Sequence, residues 1–288
     1  MPRYRSYDDA ALSYRVLGPS ASVPLVCLSG GPGRDAAHLG NLGGLDRTYR
    51  LLIPDSRGTG GSPPAADPDR YAFPALAQDL ESLRAHLGLE RFALLAHDAA
   101  AATAQSYAAA HPERLSHLVL VCPEGRIQGV RDELPDDTRE IFESRRAEQW
   151  WPDASDAVRH LATVSEPEEV RTLLARAAPM AYARWDAPQR THAAAEPAQL
   201  SQVPRTGFHQ GVDDPARRAV LANLREVPCP VLVVTGELDT ITGVLVGETV
   251  AASFPRGEWR RLPGVGHYPW VDDPDLFRAA VTSFLGAL

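Results

Sequence analysis

The residues whose chemistry stands out lie at the ends of short apolar runs. Leu94-Leu95-Ala96-His97-Asp98-Ala99-Ala100 reads as strand, sharp turn and helix, with alanine two residues before and two after Asp98. That spacing, small-x-nucleophile-x-small, lets a helix start close against the strand it follows and lifts the central side chain out of the turn. A carboxylate there stands at a helix N-terminus, where the dipole favours its charge. Taken alone, Asp98 reads as an ordinary N-cap.

Three other motifs change that reading. Ser29-Gly30-Gly31-Pro32-Gly33 follows the apolar strand Val23 to Leu28. Its Gly31 N–H, with Ala99 N–H just after the elbow, would form an oxyanion hole. Gly236-Glu237-Leu238-Asp239 follows a later apolar strand, and Gly264-Val265-Gly266-His267 follows the last one. Nucleophile, acid and histidine in that order at strand ends form a triad pattern, here Asp98, Asp239 and His267. Asp239 is preferred to Glu237, which lies two residues earlier and would point away if the strand geometry persists. Each motif is weak by itself, and four in order are strong.

These elements need a scaffold. Apolar runs alternate with helix-like stretches, which predicts an α/β chain with a mainly parallel sheet and helices on both faces. Tyr4 to Arg15 reads as two strands around Asp8-Asp9, followed by strands at Val23 to Leu28 and Arg50 to Pro54. Phe73 to Leu87 is an amphipathic helix with Leu76, Leu80, Leu83 and Leu87 at spacings of three and four. Phe92 to Ala96, Leu115 to Cys122, Pro230 to Thr235 and Glu258 to Leu262 complete the strands, and Asp275 to Leu285 reads as a closing helix. Residues 124–212 have helical periodicity without a buried strand and carry Trp150, Trp151 and Trp185, so they read as a helical insertion in a core of 1–123 and 213–288.

Composition narrows the chemistry. The chain has 288 residues with 44% hydrophobic and 23% charged residues, as expected of a folded globular protein. A net charge of −8 argues against nucleic acid or an anionic membrane as partner. All 29 basic residues are arginine. Without lysine there is no Schiff base, no pyridoxal-phosphate anchor and no P-loop lysine. Cys27, Cys122 and Cys229 have no CxxC spacing and read as buried thiols of a reducing, cytoplasmic setting. The N-terminus lacks the apolar core of a signal peptide, and no uninterrupted apolar run approaches 18 residues, so no membrane span is expected. The nine histidines include no HExxH or HxH, so no metal and no cofactor is expected; the partner is a small-molecule substrate, and oligomeric state is left open.

The chain resembles the α/β-hydrolase superfamily, in particular its proline iminopeptidase-like branch. The resemblance rests on Ser29 to Gly33, Asp55 to Ser62 as a D-x-R-G-x-G-x-S loop, the elbow, the helical segment, Gly236 to Asp239 and Gly266-His267. It implies an eight-stranded, mostly parallel sheet with an inserted helical cap. Glu124, just after the strand that follows the elbow, is then the alternative acid, a position some relatives use. Arg184-Trp185-Asp186 looks like the tryptophan-acid pair with which that branch binds a substrate amine. Trp150, Trp151, Tyr182, Trp185 and Asp186 are the cap candidates for substrate contact. Ser29 stands where the branch has histidine, and Asp98 where it has serine.

The last departure redirects the chemistry. A carboxylate attacking an ester or amide carbonyl would give a high-energy anhydride. Attack on an sp³ carbon of an epoxide or alkyl halide leaves an alkyl ester, which water activated by His267 can hydrolyse. His97-Asp98 also resembles the HD elbow of epoxide hydrolases and haloalkane dehalogenases. Against a dehalogenase, Ala99 stands where those enzymes have a halide-gripping tryptophan; epoxide hydrolases use cap tyrosines to protonate the opening oxygen, and here the cap offers only Tyr182. The primary reading is therefore an epoxide hydrolase-like enzyme acting on a small, largely apolar molecule. The alternatives are an iminopeptidase- or esterase-like serine hydrolase whose nucleophile has been replaced, a non-hydrolytic acid/base role for Asp98 and His267, and a ligand-sensing receptor on the same fold.

Overall fold

The computed structural model describes residues 1–129 and 137–286. Eight strands form one sheet: β1 (Arg3–Arg5), β2 (Ala11–Leu17), β3 (Pro24–Leu28), β4 (Arg50–Pro54), β5 (Phe92–His97), β6 (Leu115–Val121), β7 (Val231–Gly236) and β8 (Gly257–Leu262). Their spatial order is β1-β2-β4-β3-β5-β6-β7-β8. β1 and β2 run antiparallel, as do β2 and β4, while every pairing from β4 to β8 is parallel. The central strands β5 and β7 are buried along their whole length, as covering both faces of a parallel sheet requires.

The order reverses at β3. The chain steps outward from β3 to β4 and then returns to place β5 on the other side of β3, with Leu28 in register with Ala96. Loops leaving the carboxyl ends of β3 and β5 therefore diverge and open a crevice, the usual ligand position in such sheets. The glycine loop and the elbow stand side by side there.

One face is covered by α1 (Phe73–His86) and α2 (Ala100–Ala110), which pack on each other. Ala100 to Ala108 of α2 are all buried, and the small side chains of its alanines bring the helix close to the sheet. The other face is covered by the helical turn Leu42–Arg47 and the closing helix, Pro274–Leu285, which pack together. Leu39, Leu45, Leu232, Val234, Phe277 and Val281 form the core between them.

Between β6 and β7 the described residues form the helices α3 (Thr138–Ser144), α4 (Trp151–Leu161), α5 (Pro167–Ala177), α6 (Ala187–Ala194), α7 (Glu196–Gln199), α8 (Gln202–Gly207) and α9 (Asp214–Asn223). Ala157, Leu173 and Ala177 form a small core of their own. After β7 comes α10 (Leu245–Ala252), absent from the sequence expectations, and after β8 come α11 (Pro269–Asp272) and α12 (Pro274–Leu285). Gly247 obscures α10 because glycine weakens a helix. A Cβ there would lie 2.4 Å from Thr235 Cγ2 and 2.6 Å from Trp259 Nε1, so the close seat of the helix on β7 and β8 requires glycine. Among the described residues no helix is long and apolar enough to cross a membrane.

The Asp55 to Ser62 loop is a polar brace. Asp55 accepts from Ser13 Oγ at 2.8 Å, Ala36 N at 3.0 Å and Gly61 N at 3.0 Å. Arg57, buried, reaches Asp79 of α1 through Nε at 2.7 Å and NH2 at 2.6 Å, and Asp8 through NH1 at 2.7 Å. Burial raises the Asp79 pKa, and its bonds to Arg57 and Ser6 oppose that rise. Removing the guanidinium would strand this carboxylate. Arg57→Ala is expected to lower unfolding free energy by about 3–5 kcal/mol. Arg57→Lys should recover little of it, since an ammonium cannot reproduce the forked contact. Urea denaturation of the three proteins measures both effects.

Candidate active site

Asp98 connects β5 to α2 with φ of 51°, a left-handed conformation that costs a non-glycine residue on the order of 1 kcal/mol or more. Asp98 N–H donates to Val121 O at 3.0 Å, and Ala101 N–H donates to Asp98 O at 3.0 Å, fixing the turn from both sides. Gly30 passes so close that a Cβ would lie 2.1 Å from His97 O and 2.8 Å from Asp98 Cβ. Gly31 N–H then donates to Asp98 Oδ2 at 2.7 Å. Ala99 already has helical angles, φ −58° and ψ −32°. Its N–H belongs to the first turn, whose donors have no intrahelical acceptor.

His267 approaches the other carboxylate oxygen: Nε2 lies 4.0 Å from Asp98 Oδ1, beyond hydrogen-bond range. Its Nδ1 lies 3.0 and 3.2 Å from the two oxygens of Asp239. Asp239, fully buried, also accepts from Ile241 N, Thr242 N and Thr242 Oγ1. Those bonds leave a carboxylate that only accepts, so His267 Nδ1 carries the hydrogen and Nε2 is free to act as a base. Burial depresses the His267 pKa, but the charge of Asp239, the bond to it and the charge of Asp98 outweigh burial and hold it above 6.5. Burial also raises Asp239, and the opposing imidazole and hydrogen bonds bring it below 3.8.

The other two acids lie elsewhere. Glu237 accepts from Gly264 N at 3.0 Å and pairs with Arg261 at the surface. Glu124 lies 3.5 Å from His209 Nε2. The acid and histidine loops meet through glycines, since a Cβ on Gly236 would lie 2.1 Å from Gly266 O.

The cap candidates separate in space. Trp151 stacks on Phe142 at 5.4 Å and donates from Nε1 to Phe142 O, while Arg145 lies over Trp150 at 4.7 Å. Both tryptophans thus pack within the helical segment between β6 and β7. Asp186 is exposed just ahead of α6. Trp185, half-buried, lies 5.6 Å from the Tyr182 ring, and Tyr182 in turn lies 5.0 Å from Tyr268.

Tyr268 and Arg34 are site residues that the sequence did not single out. The Tyr268 ring lies 4.9 Å from His267, 5.4 Å from His97 and 4.7 Å from His192. Arg34, buried, donates from NH1 to Tyr268 Oη at 3.2 Å, from Nε to Gln199 Oε1 at 3.1 Å and from NH2 to His192 O at 3.4 Å. His97 Nε2 donates to His267 O at 3.0 Å. Tyr268 follows His267 directly and Arg34 follows the glycine loop directly; those adjacencies were the available signals.

Cys122, Asp239 and His267 offer three possible metal-ligand atoms within 4.8 Å of one another. Asp239 is already committed to four donors, and burial followed by the charge of Asp239 pushes the Cys122 thiol pKa up, opposite to what a metal thiolate requires. The chemistry of this donor set fits a hydrogen-bonded acid-histidine pair.

A family model described as alpha/beta hydrolase fold matches residues 23–274. The protein named "Putative carbamate hydrolase RutD" from Caulobacter segnis is 27% identical over 283 residues, covering 95% of this chain and 96% of its own. A proline iminopeptidase from Xylella fastidiosa is 26% identical over 291 residues, covering 90% and 88%. The crystal structure of esterase RhEst1 from Rhodococcus sp. ECU1013 superposes with a TM-score of 0.70 at 25% identity, over 99% of this chain and 98% of that one. The chain belongs to the α/β-hydrolase fold family.

Proposed function

We propose that the protein hydrolyses a small, largely apolar molecule with an electrophilic sp³ carbon, an epoxide above all, through a covalent alkyl ester on Asp98. The observation that carries this reading is the 2.7 Å bond from Gly31 N–H to Asp98 Oδ2. It gives the two carboxylate oxygens different tasks. Oδ2 rests in the oxyanion hole, while Oδ1, facing His267, is the attacking atom.

Attack by Oδ1 makes an ester whose carbonyl oxygen is Oδ2. Water then adds to Cγ, its proton passes to His267 Nε2, and the developing negative charge falls on Oδ2, where Gly31 N–H already points. Collapse expels the product and restores the carboxylate. An external ester or amide would find the hole filled by the enzyme's own oxygen and would have to form an anhydride. Asp239 holds the imidazole with Nε2 unprotonated and stabilises the imidazolium formed in the second step. Trp185, beside Tyr182, is the cap tryptophan best placed by its contacts to border the substrate.

The names of the relatives favour a second reading, in which Asp98 replaces the serine of an esterase- or iminopeptidase-like enzyme. The two diverge in the fate of isotope. In a single turnover in H₂¹⁸O, the alkyl-ester route puts ¹⁸O into the Asp98 carboxylate and leaves the first product unlabelled at the transferred oxygen. His267→Gln should slow ester breakdown by about 10²–10⁴-fold and let the adduct accumulate on the Asp98 peptide. Label appearing directly in product, or Asp98→Ser gaining ester or dipeptide turnover that the parent lacks, would establish the second reading instead.

The pH dependence has a definite sign. Neutral His267 is the base, so ester breakdown rises with pH and the adduct accumulates as pH falls below the histidine pKa. In the free enzyme that pKa lies above 6.5. Alkylation neutralises Asp98 and removes one of the charges that raise it, so the breakdown midpoint should lie below the His267 titration midpoint of the free enzyme. Asp239→Asn should lower both. NMR titration of His267 and the pH profile of single-turnover breakdown measure the two midpoints.

A further inference from the structure

Opening an epoxide leaves negative charge on the departing oxygen, and the proton that quenches it must come from a nearby donor. Two phenols stand on this side of the site: Tyr268 of the histidine loop, with its ring 4.9 Å from that of His267, and Tyr182 of the helical segment, with its ring 5.0 Å from that of Tyr268. Their hydrogen bonds distinguish them.

His192 Nε2 lies 2.9 Å from the carbonyl oxygen of His38. A carbonyl only accepts, so Nε2 carries the hydrogen of a neutral ring, and Nδ1 is an acceptor. Burial, and next the charge of Arg34, lowers the His192 pKa to about 4, which keeps that ring neutral at pH 7. The Tyr182 hydroxyl, 2.7 Å from Nδ1, must therefore donate to it. Its one proton is committed. Tyr268 has the opposite arrangement. Its oxygen accepts from Arg34 NH1 at 3.2 Å, which occupies a lone pair and leaves the O–H free to donate. The guanidinium is buried and also pairs with Glu196 Oε2 at 3.6 Å, and its NH1, in contact with Tyr268 Oη, is the nearest positive charge to where a phenolate would form.

Location agrees with this accounting. Tyr268 is half-buried, where Tyr182 is 1% exposed. Arg34 Cβ and Cδ and Asp98 Oδ2 all lie within 3.8 Å of the point a Gly31 Cβ would occupy, so the donor's cation and the nucleophile flank one residue.

The geometry points to Tyr268 as the general acid of epoxide opening, with Arg34 as the positioning residue that receives its phenolate; this rests on the alkyl-ester reading. Oδ1 of Asp98 forms a bond to the epoxide carbon as that carbon's bond to the ring oxygen breaks. The electron pair goes to the oxygen, which takes the Tyr268 proton, and solvent later returns a proton to the phenolate. Water enters at Cγ in the second step, so epoxide and water together give a vicinal diol.

The test compares a terminal aryl epoxide with the primary alkyl bromide of the same skeleton in wild type, Tyr268→Phe and Tyr182→Phe, with adduct formation on Asp98 followed by rapid quench and mass spectrometry. Bromide leaves with its electron pair and needs no proton. Tyr268→Phe should slow alkylation by the epoxide about 10²–10⁴-fold while leaving alkylation by the bromide near the wild-type rate. Tyr182→Phe, which removes a hydroxyl committed to His192 Nδ1, should slow the epoxide and the bromide alike and the epoxide less than Tyr268→Phe does. Equal slowing with both electrophiles would mean that Tyr268 acts only structurally and would overturn the assignment, as would a Tyr182→Phe defect as large as that of Tyr268→Phe. Adduct from the bromide with no Tyr268→Phe effect on the epoxide rejects the acid alone. No adduct in wild type from either electrophile rejects the alkyl-ester reading and the acid with it.

Discussion

The left-handed turn at Asp98 is the constraint on which the rest of the site depends. A strained φ persists only where its surroundings over-determine it, and here they do: Val121 O receives the Asp98 N–H, α2 begins on the Asp98 carbonyl, and Gly30 fills the space where any side chain would collide. The sheet supplies these partners by reversing its strand order at β3, so that the glycine loop and the elbow emerge as neighbours. A local conformational cost is thereby offset by contacts drawn from three strands.

The histidine is fixed from two directions. Below, Asp239 sets its tautomer and His97 holds its carbonyl. Above, the cap reaches down with its backbone: His267 N–H donates to Ala181 O at 2.8 Å, Thr240 Oγ1 donates to Met180 O at 2.9 Å, and Asp272 Oδ2 accepts at 2.8 Å from both Gly266 N and Ala183 N. Arg145 closes the same segment through the carbonyls of Tyr182 and Ala183. The stretch 180–183 is cap by sequence position, yet its hydrogen bonds run to the acid and histidine loops.

What could be read from the sequence follows from how local each signal is. The elbow was legible because its alanines are spaced by the geometry of one turn, and the strands were legible as apolar runs. The choice of Asp239 over Glu237 followed from two-residue alternation at a strand end, and the structure pairs Asp239 with His267. Tyr268 and Arg34 were not legible, although both adjoin a recognised motif, because their importance lies in a bond across 234 residues. The helix Leu245–Ala252 was hidden by Gly247, whose packing purpose opposes its propensity. Trp150 and Trp151 drew attention by residue type, whereas their packing depends on Phe142 and Arg145, partners that no spacing rule identifies.

The backbone junction between cap and histidine loop bears on how this protein could change its substrate. Main-chain hydrogen bonds survive most side-chain replacements, so the path of 180–183 constrains evolution less through residue identity than through length: an insertion or deletion there would displace His267 along with the cap. The helices α4 and α5 have their own small core and are freer to vary. Divergence in specificity should therefore accumulate in the outer cap helices, while the inner segment keeps its length as faithfully as the strands do.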